Sequence, residues 1–147
     1  MPTLVLDYIG ENKEGDTLFD YKEIMSEVSA RSITKIIKYI RDNWGEMKIV
    51  SLQYFQLENE IHISFENGGK ILFTLKDFSK QDINGTENIF LKNEILNLKT
   101  YIESNKKEIF AGNFSYIDAR VPGKIFICKD KTECKKNLFM IYGDFYK

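Results

Sequence analysis

Apolar positions along the chain change their spacing several times, and each change marks an element. Ile24, Val28, Ile33, Ile36, Ile37 and Ile40 recur every three to five residues, which places them on one side of a helix. The spacing predicts a helix from about Tyr21 to Asp42, with Ser29 as a candidate break. Asp20 followed by Glu23 forms a capping box at its start, and Asn43-Trp44-Gly45 ends it. From Ile49 the period falls to two. Ile49 to Leu57 mixes β-branched and aromatic residues, Ile61 to Phe65 alternates, and Ile71 to Leu75 follows Asn67-Gly68-Gly69, whose residues tolerate positive φ. With Asn59-Glu60 as the tight connection, this predicts a three-stranded antiparallel meander. A second helix is expected from Lys92 to Ser104 on the stripe Ile95, Leu98 and Ile102. Pro2 to Tyr8 suits a short strand or extended entry. Gly10 to Asp16, Lys80 to Asn88 and the charged segment Lys129 to Lys136 read as loops, and Leu138 to Tyr142 as one further strand.

Phe114 to Cys128 holds two β-prone runs, Phe114 to Asp118 and Lys124 to Cys128, around a Pro122-Gly123 break. Asp118 and Arg120, two apart, point to the same face of an extended chain and can form a local ion pair. Alternation puts Lys124, Phe126 and Cys128 on one face of the second run and Ile125 and Ile127 on the other. The order of elements describes one α+β domain spanning residues 1–147, with a mainly antiparallel, curved sheet and two helices against one face. No repeat or linker divides it.

Composition narrows the class. The 147 residues are 43% hydrophobic and 29% charged, which suits a soluble globular domain with a single core. Lysine and arginine number 21 against 22 acids, and a net charge of −1 gives no overall attraction to nucleic acid or anionic lipid. No apolar run approaches the roughly 18 residues of a membrane span, and the start lacks a signal-peptide pattern. Cys128 and Cys134, with one histidine in the chain, do not make a zinc site. They are either free thiols or a disulfide closing a hairpin, the latter requiring an oxidising compartment.

Little in the sequence points to catalysis. His62 is out of phase with Ile61, Ile63 and Phe65 and is expected on the solvent or outer side of the sheet as a polar-face residue. The acid pair Glu58 and Glu60 reads as a solvated strand face, as do Glu23, Lys35, Lys38 and Arg41 on the first helix. There is no phosphate-binding glycine loop and no nucleophile elbow, so the expectation is a non-enzyme without cofactor or metal. The triplets at Asn84 and Asn113 fit a glycosylation sequon that is common by chance. What such a chain offers is the outer strand of its sheet, to which a partner can add a strand.

Several of these features occur together in a known family. The helix Ser32 to Asp42, the meander Ile49 to Leu75 with its Asn67-Gly68 turn, the helix Lys92 to Ser104, and Tyr116-Ile117-Asp118-Ala119-Arg120 leading to Lys124-Ile125-Phe126-Ile127 follow one another in family order. In this the chain resembles the extracytoplasmic β domain of the bacterial cell-division protein FtsQ, called DivIB in Gram-positive bacteria. Pro2-Thr3-Leu4-Val5 is similar to the short segment that introduces the helix in that family. The resemblance covers roughly Pro2 to Lys129. Ala119 stands where the family motif often has leucine, and the two cysteines and the tail lie outside the resemblance. The family's transmembrane helix and polypeptide-transport-associated domain are not among these 147 residues. The resemblance implies a non-enzymatic scaffold of the division complex, held at the cell membrane by an anchor in the full-length protein, with this domain on the extracytoplasmic side. It implies FtsB/DivIC- and FtsL-like division proteins as partners, one adding a strand at the C-terminal edge, with no nucleic acid and no small-molecule substrate. Carried over, Arg120, Val121, Lys124, Phe126 and Cys128 become the partner-binding residues, with Arg120 anchoring an acidic side chain. The alternative is an unrelated soluble α+β interaction module.

Overall fold

Alternation in the central strands builds a mixed sheet with two unlike faces. The computed structural model describes residues 6–9, 27–55, 58–75, 89–121 and 123–146. Its strands are β1 (Leu6–Ile9), β2 (Ile49–Phe55), β3 (Glu60–Phe65), β4 (Lys70–Thr74), β5 (Tyr116–Ala119) and β6 (Phe126–Cys128). They lie side by side in chain order. The pairs β2–β3, β3–β4 and β5–β6 are antiparallel, whereas β1–β2 and β4–β5 are parallel. Parallel neighbours need a crossover. Helix α1 (Glu27–Asn43) lies between β1 and β2 in the chain, and α2 (Ile89–Ser104) and α3 (Lys106–Phe110) lie between β4 and β5. The fold is therefore α+β with a mostly antiparallel sheet, and the expected meander is β2 to β4.

Register sorts the side chains by face. Leu52, Ile63, Ile71, Ile117 and Ile127 form one row across five strands, and Tyr54, Ile61, Phe73 and Ala119 form the next. These residues join Ile33, Ile36 and Ile40 of α1, Leu98 and Ile102 of α2 and Ile109 of α3 in the main core. Full burial of each such isoleucine or leucine contributes about 1.5–3 kcal/mol, which makes this layer the dominant stabilising element. Lys35, Lys38 and Arg41 are exposed as expected. The helix runs through Ser29 without the predicted break. Its predicted start, with the Asp20–Glu23 capping box, lies outside the described residues, as do Pro2 to Val5 and the predicted loops Gly10 to Asp16 and Lys80 to Asn88.

Turns fall where the residues permit them. Asn59 takes φ 50° between β2 and β3. Gly68 takes φ 93° in the β3–β4 hairpin, where the Gly69 amide donates to Asn67 Oδ1 at 3.0 Å. Between β5 and β6, Lys124 N–H donates to Val121 O at 3.0 Å, and the Gly123 amide donates to Glu94 Oε1 of α2 at 2.8 Å.

The C-terminal segment differs from the sequence reading. Lys131–Tyr142 is a helix, α4, followed by a 3-10 turn at Gly143–Tyr146, not a loop and a strand. Asp130 caps it, accepting from the Thr132 and Glu133 amides at 3.0 Å each. Cys134 and Leu138, four apart, are buried on one side of it. Leu138 and Tyr146 form a second cluster with Phe55 and Leu72, and Tyr116 and Tyr142 pack against it. Leu72 alternates with Ile71 and Phe73, so this cluster sits on the opposite face from the main core. Cys128 and Cys134 form a disulfide and are not free thiols, but it joins β6 to α4 where a hairpin closure was expected, because the segment after β6 is helical. No helix among the described residues is long and apolar enough to cross a membrane.

Candidate functional site

The second face of the sheet carries polar side chains at its centre. Register aligns Gln53, His62, Leu72, Asp118 and Phe126 in one row, with Phe55, Glu60 and Thr74 beside it. Asp118 and Arg120 project together, as the two-residue spacing permits. Asp118 Oδ1 accepts from Arg120 Nε at 2.9 Å and Oδ2 from Nη2 at 2.7 Å, a bidentate pair. The guanidinium also donates to the Tyr142 hydroxyl and lies 3.7 Å from Glu60 Oε2. Tyr142 donates in turn to Glu60. His62 Nε2 lies 3.4 Å from the same carboxylate oxygen, and His62 Nδ1 is hydrogen-bonded to the Tyr146 hydroxyl. One proton arrangement satisfies all of these contacts: a neutral His62 donates from Nε2 to Glu60 and accepts at Nδ1 from Tyr146. Glu60 is then the acceptor on which the network converges.

Two expectations are corrected here. His62 does lie opposite Ile61 and Ile63, but it is 0% exposed and faces neither solvent nor an open outer side. Phe55, Tyr142 and Tyr146 surround its ring, with centroids at 4.2, 4.6 and 5.8 Å. Glu60 is not on a solvated strand face, since its side chain is 12% exposed. In both cases the cover comes from α4 and the turn after it, where sequence reading placed a loop and a strand.

Burial and pairing set the protonation states. Burial alone raises the Glu60 carboxyl pKa, but hydrogen bonds from His62 and Tyr142 and the Arg120 charge outweigh it and leave it below its ordinary value. Asp118 behaves likewise, with Arg120 overcoming the effect of burial. Burial pushes the His62 pKa down despite Glu60, and the Arg120 and Lys70 charges add to that. Burial and then the Glu60 carboxylate push Tyr142 and Tyr146 up. The linkage has one sign on the acid side. Below its ordinary pKa of 6.5, His62 takes up a proton in the unfolded chain before it does so in the folded one, so acid favours unfolding. The depressed carboxylates add to this at lower pH, where the unfolded chain again binds more protons. Stability is therefore expected to be greatest near neutral pH and to fall below about pH 6.5, with a slope of up to roughly 1.4 kcal/mol per pH unit for a single group. Denaturant titrations between pH 7.5 and 5 check this, and a His62→Gln variant is expected to flatten the curve between 6.5 and 5.5. An unchanged slope in that variant would show that His62 is not the group responsible.

Next to this cluster runs β6, one of the two end strands of the sheet. Among the described residues β6 pairs with β5 alone. Phe126 is 53% exposed and Val121 44%, while Ile125 and Ile127 pack against the main core. Lys124 is exposed. Of the five residues proposed for partner binding, three thus offer side chains to solvent. The other two are engaged within the chain: Arg120 with Asp118, Tyr142 and Glu60, and Cys128 with Cys134.

No protein-family model and no curated protein matches the chain.

The described residues contain no group of three or more His, Cys, Asp or Glu placed to hold a metal ion. The sequence reading missed Glu60, His62, Tyr142 and Tyr146 as one group. A local signal existed for part of it: Cys134, Leu138 and Tyr142 recur every four residues, a helical spacing that runs from the expected loop Lys129 to Lys136 into the expected strand Leu138 to Tyr142.

Proposed function

We propose that this chain is a non-enzymatic scaffold domain of the bacterial division complex, similar to the extracytoplasmic β domain of FtsQ/DivIB, and that it binds a partner by strand addition at β6. The observation that carries the reading is the position of β6 at the end of the sheet with Phe126 exposed on it. An outer strand offers unpaired N–H and C=O groups, and main-chain pairing with an extended segment supplies affinity while neighbouring side chains select the partner. Val121, Lys124 and Phe126 are the side chains for that selection. Arg120 contributes by holding the end of β5 through Asp118, and Cys128 by tying β6 to α4. The partner is an FtsB/DivIC- or FtsL-like extracytoplasmic segment, and the full-length protein is held at the membrane by an N-terminal anchor.

The test is binding of a labelled FtsB-type peptide followed by anisotropy. Phe126→Asp is expected to weaken binding by about 2 kcal/mol or more, as for an anchoring aromatic at an interface, with little change in thermal midpoint because the ring is half exposed. Slower amide exchange along β6 in the complex is expected as well. Undiminished binding by the variant would remove β6 as the docking edge.

A further inference from the structure

On the second face, a row of side chains from Ser64 through Lys70 leads away from the polar cluster to a cavity of about 290 Å³. Gln53, Lys70 and Ser115 line it from the sheet, and Lys131, Lys135 and Tyr146 from α4 and the turn that follows. It adjoins a hollow of about 480 Å³ that shares Lys131, Lys135 and Tyr146 and adds Phe139. Lys70 Nζ donates to Ser64 Oγ at 2.8 Å and lies 5.3 Å from the centre of the Tyr146 ring. Among the described residues no carboxylate pairs with Lys70, Lys131 or Lys135. Nearby Lys129 and Lys136 do have one each, Glu108 at 3.1 Å and Glu133 at 3.6 Å. Burial pushes the Lys70 ammonium below its ordinary pKa, with no opposite charge to offset it. Gln53 Oε1 is buried without a hydrogen-bond partner.

Three ammonium groups without counter-charges among the described residues, gathered on one cavity, are the makings of an anion receptor. We propose that this cavity binds a phosphate group carried by an apolar substituent. A carboxylate would balance one of the three charges. A phosphate monoester carries about −1.5 to −2 near neutral pH and three strong acceptor oxygens, which match the lysines more closely. The adjoining hollow, with Phe139 and Tyr146 in its wall, takes the apolar substituent. A soluble phosphate ester and an anionic lipid headgroup share this chemistry. The site is independent of partner binding at β6.

The intact chain is titrated with inorganic phosphate and with phenyl phosphate at ionic strength held constant with sodium chloride, following backbone amide shifts. Saturable shifts at Lys70, Ser115 and Lys131 are expected, with tighter binding of phenyl phosphate. The double variant Lys131→Ala/Lys135→Ala removes two exposed side chains and leaves the fold intact, and is expected to weaken binding about tenfold or more. Lys70→Met is the second variant, expected to abolish it. Shifts no larger than those from chloride, or equal affinity in the double variant, would overturn the proposal. Vesicles containing phosphatidylglycerol separate the two sources. Sedimentation that phenyl phosphate competes away and the double variant loses makes a lipid headgroup a ligand of the cavity. No sedimentation alongside saturable phenyl phosphate binding identifies a soluble ester. Vesicle binding without any binding of soluble phosphate refutes the cavity as the receptor.

Discussion

Replacing Glu60 with alanine is expected to lower the stability of the domain by about 3 kcal/mol, near the lower end of what removing one partner of a buried charged network costs. Glu60 is the acceptor shared by Tyr142 and His62 and lies 3.7 Å from Arg120 Nη1. Its removal leaves a tyrosine O–H and an imidazole N–H, both buried or half-buried, without their acceptor. The Arg120 charge is then balanced by Asp118 alone. Each lost acceptor costs on the order of 1–3 kcal/mol, partly recovered where water can enter beside the 12% exposed carboxylate. Glu60→Gln keeps the shape and one acceptor oxygen and is expected to cost less, about 1–2 kcal/mol. Urea denaturation at pH 7 measures both. A loss under about 1 kcal/mol for the alanine variant would mean that the network holds together without its central acceptor.

Phe114→Ala is expected to cost about 3–5 kcal/mol, the range for removing a phenyl ring from a closed core. Phe114 is 0% exposed and lies two residues before the start of β5. Its ring fills the space a side chain would occupy at Gly69: a Cβ there would stand 2.2 Å from Phe114 Cζ and 2.6 and 2.7 Å from the Cε atoms. Gly69→Ala in the native background is therefore expected to cost about 1–3 kcal/mol by overpacking. In the Phe114→Ala background the clash is relieved. The double variant should then be more stable than the sum of the two losses, by an interaction energy of roughly 0.5–3 kcal/mol. A double-mutant cycle by thermal and denaturant unfolding reads this directly, and additive losses would disprove the contact. The pair matters for the site because the Lys70 amide donates to Ser115 O at 3.0 Å, so the packing of Phe114 on Gly69 helps set the level at which β5 runs beside β4.

Much of the first face was legible in the sequence. Ile61, Ile63, Ile71 and Phe73 alternate with other residues over short strands, and Ile33, Ile36 and Ile40 repeat with a helical period. Each pattern reports a local conformation whose apolar side must be covered. Gly68 and Asn59 mark their turns for an equally local reason, the tolerance of positive φ. The C-terminal helix was less legible because its signals conflict. Lys131, Lys135 and Lys136 crowd its start, and Leu138-Phe139-Met140-Ile141 is an apolar run without helical period. Phe139, Met140 and Ile141 are in fact exposed, so the run itself misreports burial. Asp130 with its capped amides and the four-residue spacing of Cys134, Leu138 and Tyr142 carry the true assignment.

The candidate site shows the same division. The two-residue spacing of Asp118 and Arg120 puts them on one face of an extended chain, where they can meet, and the phase of His62 against Ile61 and Ile63 fixes which face of the sheet it takes. Neither says what lies over that face. His62 and Tyr146 are 84 residues apart and Glu60 and Tyr142 are 82 apart, so no local period relates them. A strand's sequence decides its faces, because alternation is a property of one backbone. Whether a polar face meets water or a helix depends on where the chain returns, which only the packed structure decides. That return turns a histidine expected at the outer side into a fully buried one, and an acid of a strand surface into the centre of a network.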